Sequence, residues 1–119
     1  SFGMNLNELA TAVSQQTPVT IVIMNNGVLG MVRQWQTLFF DRHYSCTTLN
    51  RKTDFVKLAE AFGAEGGRAA TKEELEKLAE RAFACEGPFV IDCAVDCDEF
   101  VLPMLPPEGS VDEIITEIK

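Results

Sequence analysis

The sequence predicts an α/β fold, a three-layer arrangement in which helices flank a parallel β-sheet. β-rich runs at residues 19–24 and 89–95 alternate with amphipathic helical patterns along the chain. Strands separated by helices are typical of parallel sheets covered on both faces. The chain has 119 residues, of which 46% are hydrophobic and 24% charged, so it can form one core. We expect a single domain over residues 1–119.

The charge balance argues against one class of partner. Ten Lys and Arg residues stand against eighteen Asp and Glu residues, giving a net charge of -8. An acidic chain repels the phosphate backbone, so nucleic acid is not expected as a partner. The sequence shows neither a membrane-spanning apolar run nor a secretory signal pattern. We therefore expect no membrane partner, a cytoplasmic location and reduced cysteines.

The chain starts with a helical pattern and no strand before it, from which we expect that a segment ahead of Ser1 has been cut off. Asn5 is placed to cap this helix, and Glu8 to complete a capping box. The apolar positions with helical spacing are Leu6, Leu9, Ala10 and Val13. This spacing predicts that one face is buried.

A strand, a turn and a second helix follow. The unbroken apolar run at 19–24 predicts a strand buried on both faces. The cluster Asn25-Asn26-Gly27 predicts a sharp turn at its carboxyl end. Helical spacing returns at 28–39. One face of that helix carries Val28, Met31, Val32, Trp35 and Phe39. Such a face forms either part of the core or a pocket wall, and the pattern leaves both interpretations open.

Three elements are predicted in the middle of the chain. Residues 41–52 lack periodicity and carry many polar side chains, which indicates a surface loop. Apolar spacing at 55–62 predicts a short helix that ends at Gly63. Residues 64–70 predict one short strand, although glycine is unfavourable in strands.

Two capping boxes mark the remaining helices. Thr71 with Glu74 begins the clearest helix of the chain. Its apolar positions are Leu75, Leu78, Ala79, Ala82 and Phe83. After the strand at 89–95, Ser110 with Glu113 predicts a last helix. That helix would carry Ile114, Ile115 and Ile118.

The Asn25-Asn26-Gly27 turn is a candidate ligand site. Ligands of parallel sheets bind beyond the carboxyl ends of the strands. An asparagine oxygen and a nearby backbone carbonyl suit a hard divalent cation, and the N-terminus of the next helix attracts phosphate. These groups together could hold magnesium and a diphosphate. Asn-Asn-Gly is also an ordinary turn sequence, so the turn alone is weak support.

Six segments form a longer pattern that spans the whole chain. They are Ser1-Phe2-Gly3-Met4-Asn5, Glu8-Leu9, Asn25-Asn26, Leu29-Gly30-Met31-Val32, Gln34-Trp35 and Pro103-Met104-Leu105-Pro106-Pro107. The pattern resembles the acetolactate synthase family, in the C-terminal part of the thiamine diphosphate binding domain of the large catalytic subunit. By this resemblance the pyrimidine-binding domain, the middle domain and the Gly-Asp-Gly triplet of the cofactor motif lie before Ser1.

The resemblance implies a cofactor site and a substrate pocket. Asn26 would give its side-chain oxygen and Val28 its backbone carbonyl to Mg²⁺, which holds the diphosphate of thiamine diphosphate, and Asn25 would shape the turn. The implied cofactor-binding positions are Ser1, Met4, Asn26, Val28, Gly30 and Met31. Met31 and Trp35 match the substrate pocket, where the tryptophan favours 2-ketobutyrate over pyruvate as second substrate.

The implied activity is that of a transferase in branched-chain amino acid biosynthesis. Pyruvate is decarboxylated on thiamine diphosphate, and the two-carbon unit passes to pyruvate or 2-ketobutyrate. The family's catalytic glutamate lies in a neighbouring subunit, so no catalytic residue is expected in this chain. The resemblance also implies a homodimer or tetramer, a regulatory small subunit and FAD in the middle domain. Without the triplet's aspartate, the chain alone is expected to bind the cofactor weakly and to be inactive.

Two alternatives stay open. One is another thiamine-diphosphate-dependent 2-keto acid decarboxylase or carboligase, against which Trp35 argues. The other is a non-catalytic α/β binding module.

Several polar residues are expected to have no part in a site. His43 is predicted to be a surface residue, because no partner for a catalytic base can be identified. A solvated acidic strand end is predicted for Asp92, Asp96, Asp98 and Glu99. Glu108 occupies a position where many relatives of the resembled family have glycine, and the sequence assigns it no role.

Overall fold

The computed structural model describes residues 1–50 and 52–118. These residues form two units. The first contains the described residues of Ser1–Asn25 and Arg51–Val95, and the second those of Asn26–Asn50 and Asp96–Lys119. Over the described residues the α-helices are α1 (Glu8–Ser14), α2 (Gly30–Phe39), α3 (Phe55–Phe62) and α4 (Lys72–Ala84). No helix in this part of the chain has the length and apolar character needed to cross a membrane.

A three-stranded parallel sheet forms the centre of the first unit. Its strands are β1 (Thr20–Asn25), β2 (Glu65–Ala69) and β3 (Phe89–Ala94), in the order β1-β3-β2. All three predicted strands are confirmed. The glycines of β2 are needed for close approach, because a Cβ on Gly66 would lie 2.9 Å from the carbonyl oxygen of Val90, and one on Gly67 would overlap the side chain of Leu78.

Helices cover both faces of this sheet, as the three-layer prediction requires. On one face Val90 packs with residues of α1 and α3, and on the other Phe89 and Ile91 pack with residues of α4. The start of α3 is capped by Asp54, whose carboxylate accepts hydrogen bonds from the backbone of Val56 and Lys57. These hydrogen bonds lower the pKa of Asp54, with that from Lys57 contributing most. The predicted ends of α3 and the Thr71–Glu74 capping box of α4 are confirmed.

The prediction that the first strand is buried on both faces is wrong. Ile21 and Ile23 pack into the core with α1 and α3, but Val22 and Met24 are exposed. Val22 pairs with Ile91, so these exposed side chains share the face on which α4 packs. The reason is the position of α4, which packs against β2 and β3 on that face, while the core formed there includes no residue of β1.

Two details of the predicted helices are also wrong. Helix α1 begins at Glu8, after a 3₁₀ turn, and its N-cap Asn7 makes no side-chain capping bond, so Asn5 and Glu8 form no capping box. Ala10 is exposed, while Leu9 carries the buried face. In α4, Phe83 is exposed and not part of the apolar stripe, because the buried side is centred on Leu78 and Ala82.

The predicted last helix is reduced to one 3₁₀ turn, Val111–Glu113, in the second unit. The capping box of Ser110 and Glu113 is present. The helix stops because Ile115 instead pairs with Met104 as an antiparallel bridge, with backbone hydrogen bonds of 2.8 and 2.9 Å. β-Branched isoleucine favours such an extended conformation.

Asp92 is buried, which contradicts the predicted solvated acidic cluster for this residue. It lies within β3 and is only 1% exposed. One carboxylate oxygen accepts a hydrogen bond of 2.9 Å from the Asn25 amide, and the other accepts bonds of 3.1 and 2.8 Å from the Arg68 guanidinium. The same contact raises the pKa of Arg68. The carboxylate thus joins the three strands, since its partners lie on β1 and β2.

Candidate functional site

The predicted site residues are distributed over both units. Ser1 and Met4 belong to the first unit, where both are exposed beside the 3₁₀ turn Phe2–Met4. The second unit contains Asn26, Val28, Gly30, Met31 and Trp35.

The turn after β1 is held by its own side chain and by the following loop. Asn26 Oδ1 accepts a hydrogen bond of 3.2 Å from the backbone N–H of Val28, and Gly27 has a φ of +68°, which favours glycine. Val28 is buried and pairs with Thr48 of the loop as an antiparallel bridge. The loop prediction for 41–52 is confirmed over its described residues, which contain no helix or strand.

The start of α2 is a candidate position for an anionic group. Its N-cap, Leu29, provides no side-chain capping bond, so the first N–H groups are not satisfied by a cap. At the first helical position, a Cβ on Gly30 would lie only 2.7 Å from Asn26 Nδ2. The Asn26 side chain therefore occupies its position because residue 30 has no side chain.

The arrangement suits a divalent cation and a diphosphate. The Asn26 amide oxygen and the Val28 carbonyl are hard, neutral oxygen donors, and such donors suit Mg²⁺. The uncapped helix N-terminus has the polarity that attracts phosphate.

The apolar face of α2 lines a cavity and does not form a core. The cavity has a volume of about 380 Å³. Its lining residues are Met31, Val32, Trp35, Gln36 and Phe40. Trp35 and Phe39 stack edge to face with ring centroids 5.4 Å apart. The sequence left open whether this stripe is part of the core or a pocket wall. Met31, Val32 and Trp35 are exposed, which favours the pocket wall for these three residues. Val28 is buried.

The burial of Gln34 is a feature that the sequence did not indicate. It is the buried residue of α2, and both atoms of its amide are hydrogen-bonded. An isolated glutamine between Arg33 and Trp35 gives no periodic signal of burial, because the partners of its amide lie about 70 residues away in the chain.

One acidic residue after β3, Asp98, interacts with α2. Asp98 accepts a hydrogen bond of 2.6 Å from Arg33, whose guanidinium lies 4.0 Å from the ring centroid of Tyr44. This bond lowers the pKa of Asp98 and raises that of Arg33. Asp96 and Asp98 are exposed, as predicted, and so is His43.

Glu108 has a φ of +58°, in the left-handed region where glycine is favoured. This backbone conformation gives a physical reason why glycine suits this position. At the next residue, a Cβ on Gly109 would lie 2.5 Å from Pro106 Cγ, so the tight turn needs glycine there as well.

The buried hydroxyl of Thr47 leads to a stability prediction. Thr47 is 2% exposed, and its Oγ1 has no hydrogen-bond partner among the described residues. Thr47→Val keeps the shape and removes the unsatisfied hydroxyl, so we expect the free energy of unfolding to rise by about 1 kcal/mol in urea denaturation. Thr47→Ser, which keeps the hydroxyl, should give no gain. A less stable Thr47→Val protein would contradict this prediction.

Comparison with known proteins links this geometry to a family. The family described as thiamine pyrophosphate enzyme, C-terminal TPP binding domain, matches residues 1–93. The large subunit of acetolactate synthase isozyme 2 from Escherichia coli (strain K12) is 41% identical over 118 residues, which cover 99% of this chain and 22% of the relative. The mitochondrial acetolactate synthase catalytic subunit of Saccharomyces cerevisiae is 45% identical over 116 residues, covering 97% and 17%.

Solved structures give the same result for the fold. A thiamine diphosphate-dependent 4-hydroxybenzoylformate decarboxylase from Rhodococcus jostii RHA1 has a TM-score of 0.74 at 28% identity, covering 83% of this chain and 19% of that protein. A benzoylformate decarboxylase from Polynucleobacter necessarius has a TM-score of 0.72 at 25% identity, covering 81% and 18%. The chain thus spans about a fifth of the length of the curated relatives it matches.

Proposed function

Because this chain belongs to the thiamine pyrophosphate enzyme family, through the C-terminal TPP binding domain, we propose that it is the cofactor-binding end of an acetolactate synthase large subunit. Identities of 41% and 45% to such subunits over nearly the whole chain support this assignment. The pyrimidine-binding and middle domains then belong to the remaining part of the full-length protein.

The observation that carries this proposal is the geometry at the start of α2. Asn26 Oδ1 and the Val28 carbonyl would hold Mg²⁺, and the N–H groups of the first turn of α2 would orient the diphosphate. Gly30 keeps the space that the Asn26 side chain needs. The family resemblance alone leads us to propose Ser1, Met4 and Met31 as further cofactor-binding positions. When bound, thiamine diphosphate supplies the electron sink for decarboxylation of a 2-keto acid.

The proposed substrate pocket is the cavity on α2. Its apolar walls, which include Met31 and Trp35, would exclude water and contact the alkyl group of the second 2-keto acid. The indole of Trp35 would narrow the cavity and so distinguish 2-ketobutyrate from pyruvate by their difference of one methylene. The proposed reaction gives 2-acetolactate or 2-aceto-2-hydroxybutyrate, precursors of branched-chain amino acids.

The proposal extends to the assembly of the full-length protein. In a homodimer or tetramer, a neighbouring subunit would supply the catalytic glutamate. A small subunit would regulate the activity of the assembly. FAD would occupy the middle domain, and the proposed location is the cytoplasm. Light scattering of the purified full-length protein measures its oligomeric state. Its absorption spectrum shows whether it contains FAD.

Asn26→Ala tests the site directly in the full-length protein. Calorimetry gives the Mg²⁺ concentration at which thiamine diphosphate binding is half-maximal. Loss of a metal ligand should raise this concentration by at least about tenfold. Asn7→Ala, an exposed asparagine without a capping bond, is the matched control and should bind as the wild type does. Equal binding by Asn26→Ala and wild type would remove Asn26 from the metal site.

A second function is favoured by the solved structures, which are decarboxylases of benzoylformate-type 2-keto acids. Incubating the full-length protein with pyruvate, Mg²⁺ and thiamine diphosphate separates the two functions. A carboligase forms 2-acetolactate, whereas a simple decarboxylase releases acetaldehyde from pyruvate or benzaldehyde from benzoylformate. A protein that forms none of these products and binds no cofactor would fit the non-catalytic binding module instead.

A further inference from the structure

The buried residue of α2 is polar. Gln34 is 1% exposed, whereas Met31 is 53% and Trp35 39% exposed. A helix at a protein surface ordinarily turns its apolar stripe inward, because burial of apolar surface is favourable. Specific contacts must therefore hold α2 in the opposite rotation.

Gln34 makes these contacts with the C-terminal segment of the second unit. Its Oε1 accepts a hydrogen bond of 2.8 Å from the backbone N–H of Val101, and its Nε2 donates one of 3.0 Å to the carbonyl oxygen of the same residue. Nε2 also lies 3.1 Å from the sulfur of Met104. Since the Val101 N–H can only donate and its carbonyl can only accept, the two ends of the amide are distinguished and its orientation is determined.

The neighbouring residue reinforces this attachment. Arg33 pairs with Asp98 at 2.6 Å, so two consecutive residues of α2 bind the same segment. The Arg33 pair is partly exposed and contributes little by itself, whereas the Gln34 amide is shielded from water. Gln36 also exchanges two hydrogen bonds with the Ser45 backbone, but at an exposed position, so Gln34 is the buried contact among those that hold α2.

We propose that Gln34 is a positioning residue for substrate selection, which holds α2 so that Met31 and Trp35 face the cavity. This inference rests on the proposed function of that cavity as the pocket for the second 2-keto acid. Each helical residue is turned by about 100° from the one before it, so a rotation by one position would carry the Trp35 indole into the place of Gln34. The cavity would then lose the side chain that narrows it.

Gln34→Glu in the full-length protein tests this role. The substitution keeps the size of the side chain but places an oxygen against the Val101 carbonyl, which removes the donor end of the contact. With pyruvate and 2-ketobutyrate competing as second substrates, we expect the ratio of 2-aceto-2-hydroxybutyrate to 2-acetolactate to fall by about tenfold, in the same direction as for Trp35→Leu. Calorimetric Mg²⁺-dependent binding of thiamine diphosphate should change by less than the product ratio, because the proposed Mg²⁺ ligands Asn26 and Val28 lie before α2.

Further variants separate positioning from simple destabilisation. Gln34→Leu fills the same buried space without the amide and should lower the product ratio as well, even if the glutamate variant does not fold. Gln15→Leu, the same change at an exposed position at the end of α1, should leave the ratio at the wild-type value.

The outcomes distinguish this inference from the proposed function. If Trp35→Leu lowers the ratio but both Gln34 variants keep it, the positioning role is wrong and the proposed function stands. If Trp35→Leu leaves the ratio unchanged, the cavity does not select the second substrate, and the inference is also wrong. A wild-type protein that forms neither product would overturn the proposed function and this inference with it.

Discussion

Replacing Arg68 with methionine is expected to lower the free energy of unfolding of the chain by about 3 kcal/mol, because it leaves a buried carboxylate without its counter-ion. Asp92 is inaccessible to water within β3, and Arg68 donates two of the three hydrogen bonds that it accepts. The Asn25 amide remains as the third donor and the Arg68 side chain is itself 56% exposed, which together place the expected loss at the lower end of the range for buried pairs. Urea denaturation followed by far-UV circular dichroism measures the change.

A second substitution tests whether the unpaired charge is the cause. The double variant Arg68→Met, Asp92→Asn has no charge at position 92. The amide oxygen of the new asparagine can still accept the hydrogen bond from Asn25. The double variant should therefore be more stable than Arg68→Met alone. The matched control is Arg81→Met, since the Arg81–Glu65 pair is exposed at 3.4 Å and should contribute less than about 1 kcal/mol. Equal losses in the two arginine variants would contradict the idea that the buried Asp92 carboxylate needs Arg68 as its counter-ion.

Gly30→Ala is expected to reduce cofactor binding strongly while leaving the fold intact. The new Cβ would lie 2.7 Å from Asn26 Nδ2, the end of a flexible side chain, so the asparagine can rotate away at little cost to stability. Alanine also favours the helix more than glycine does. When the Asn26 side chain rotates, its oxygen leaves the proposed Mg²⁺ site. Loss of a group that holds a metal ligand in place lowers metal affinity by about 10–100-fold.

Two measurements in the full-length protein check this separation of binding from stability. Calorimetry gives the Mg²⁺ dependence of thiamine diphosphate binding, and thermal unfolding without cofactor gives the stability. Gly87→Ala is the control, because a Cβ there meets no atom within 4 Å, and it should change neither quantity. If Gly30→Ala binds Mg²⁺ and cofactor normally, the Asn26 side chain is not held where the proposed function requires it.

Local patterns in the sequence were sufficient for most of the fold of the first unit. The Thr71–Glu74 capping box, the Gly63 helix end and the alternation of strands with helices depend on neighbouring residues, and they are confirmed. The predicted last helix did not form because the backbone of Ile115 pairs with that of Met104, which lies outside the predicted helix. The position of β1 at the sheet edge is likewise not encoded in its apolar run.

For the candidate site, the residue types could be predicted but their surroundings could not. The Asn25-Asn26-Gly27 turn and the helix after it follow from the sequence, and the roles of Asn26 and Val28 in metal binding stay predictions. The sequence left open whether Met31 and Trp35 belong to a core or to a pocket wall. Their exposure depends on the rotation of α2, and therefore on hydrogen bonds from Gln34 to a segment far along the chain.

The sequence by itself determined the α/β class, the family resemblance and the turn at the end of β1, because these depend on composition, periodicity and short motifs. Only the tertiary structure decided that Asp92 is a buried ion-pair partner, that Gly30 makes room for Asn26 and that the apolar face of α2 lines a cavity. Each of these features is a balance between burial and hydrogen bonding, and that balance depends on which distant groups the fold brings into contact.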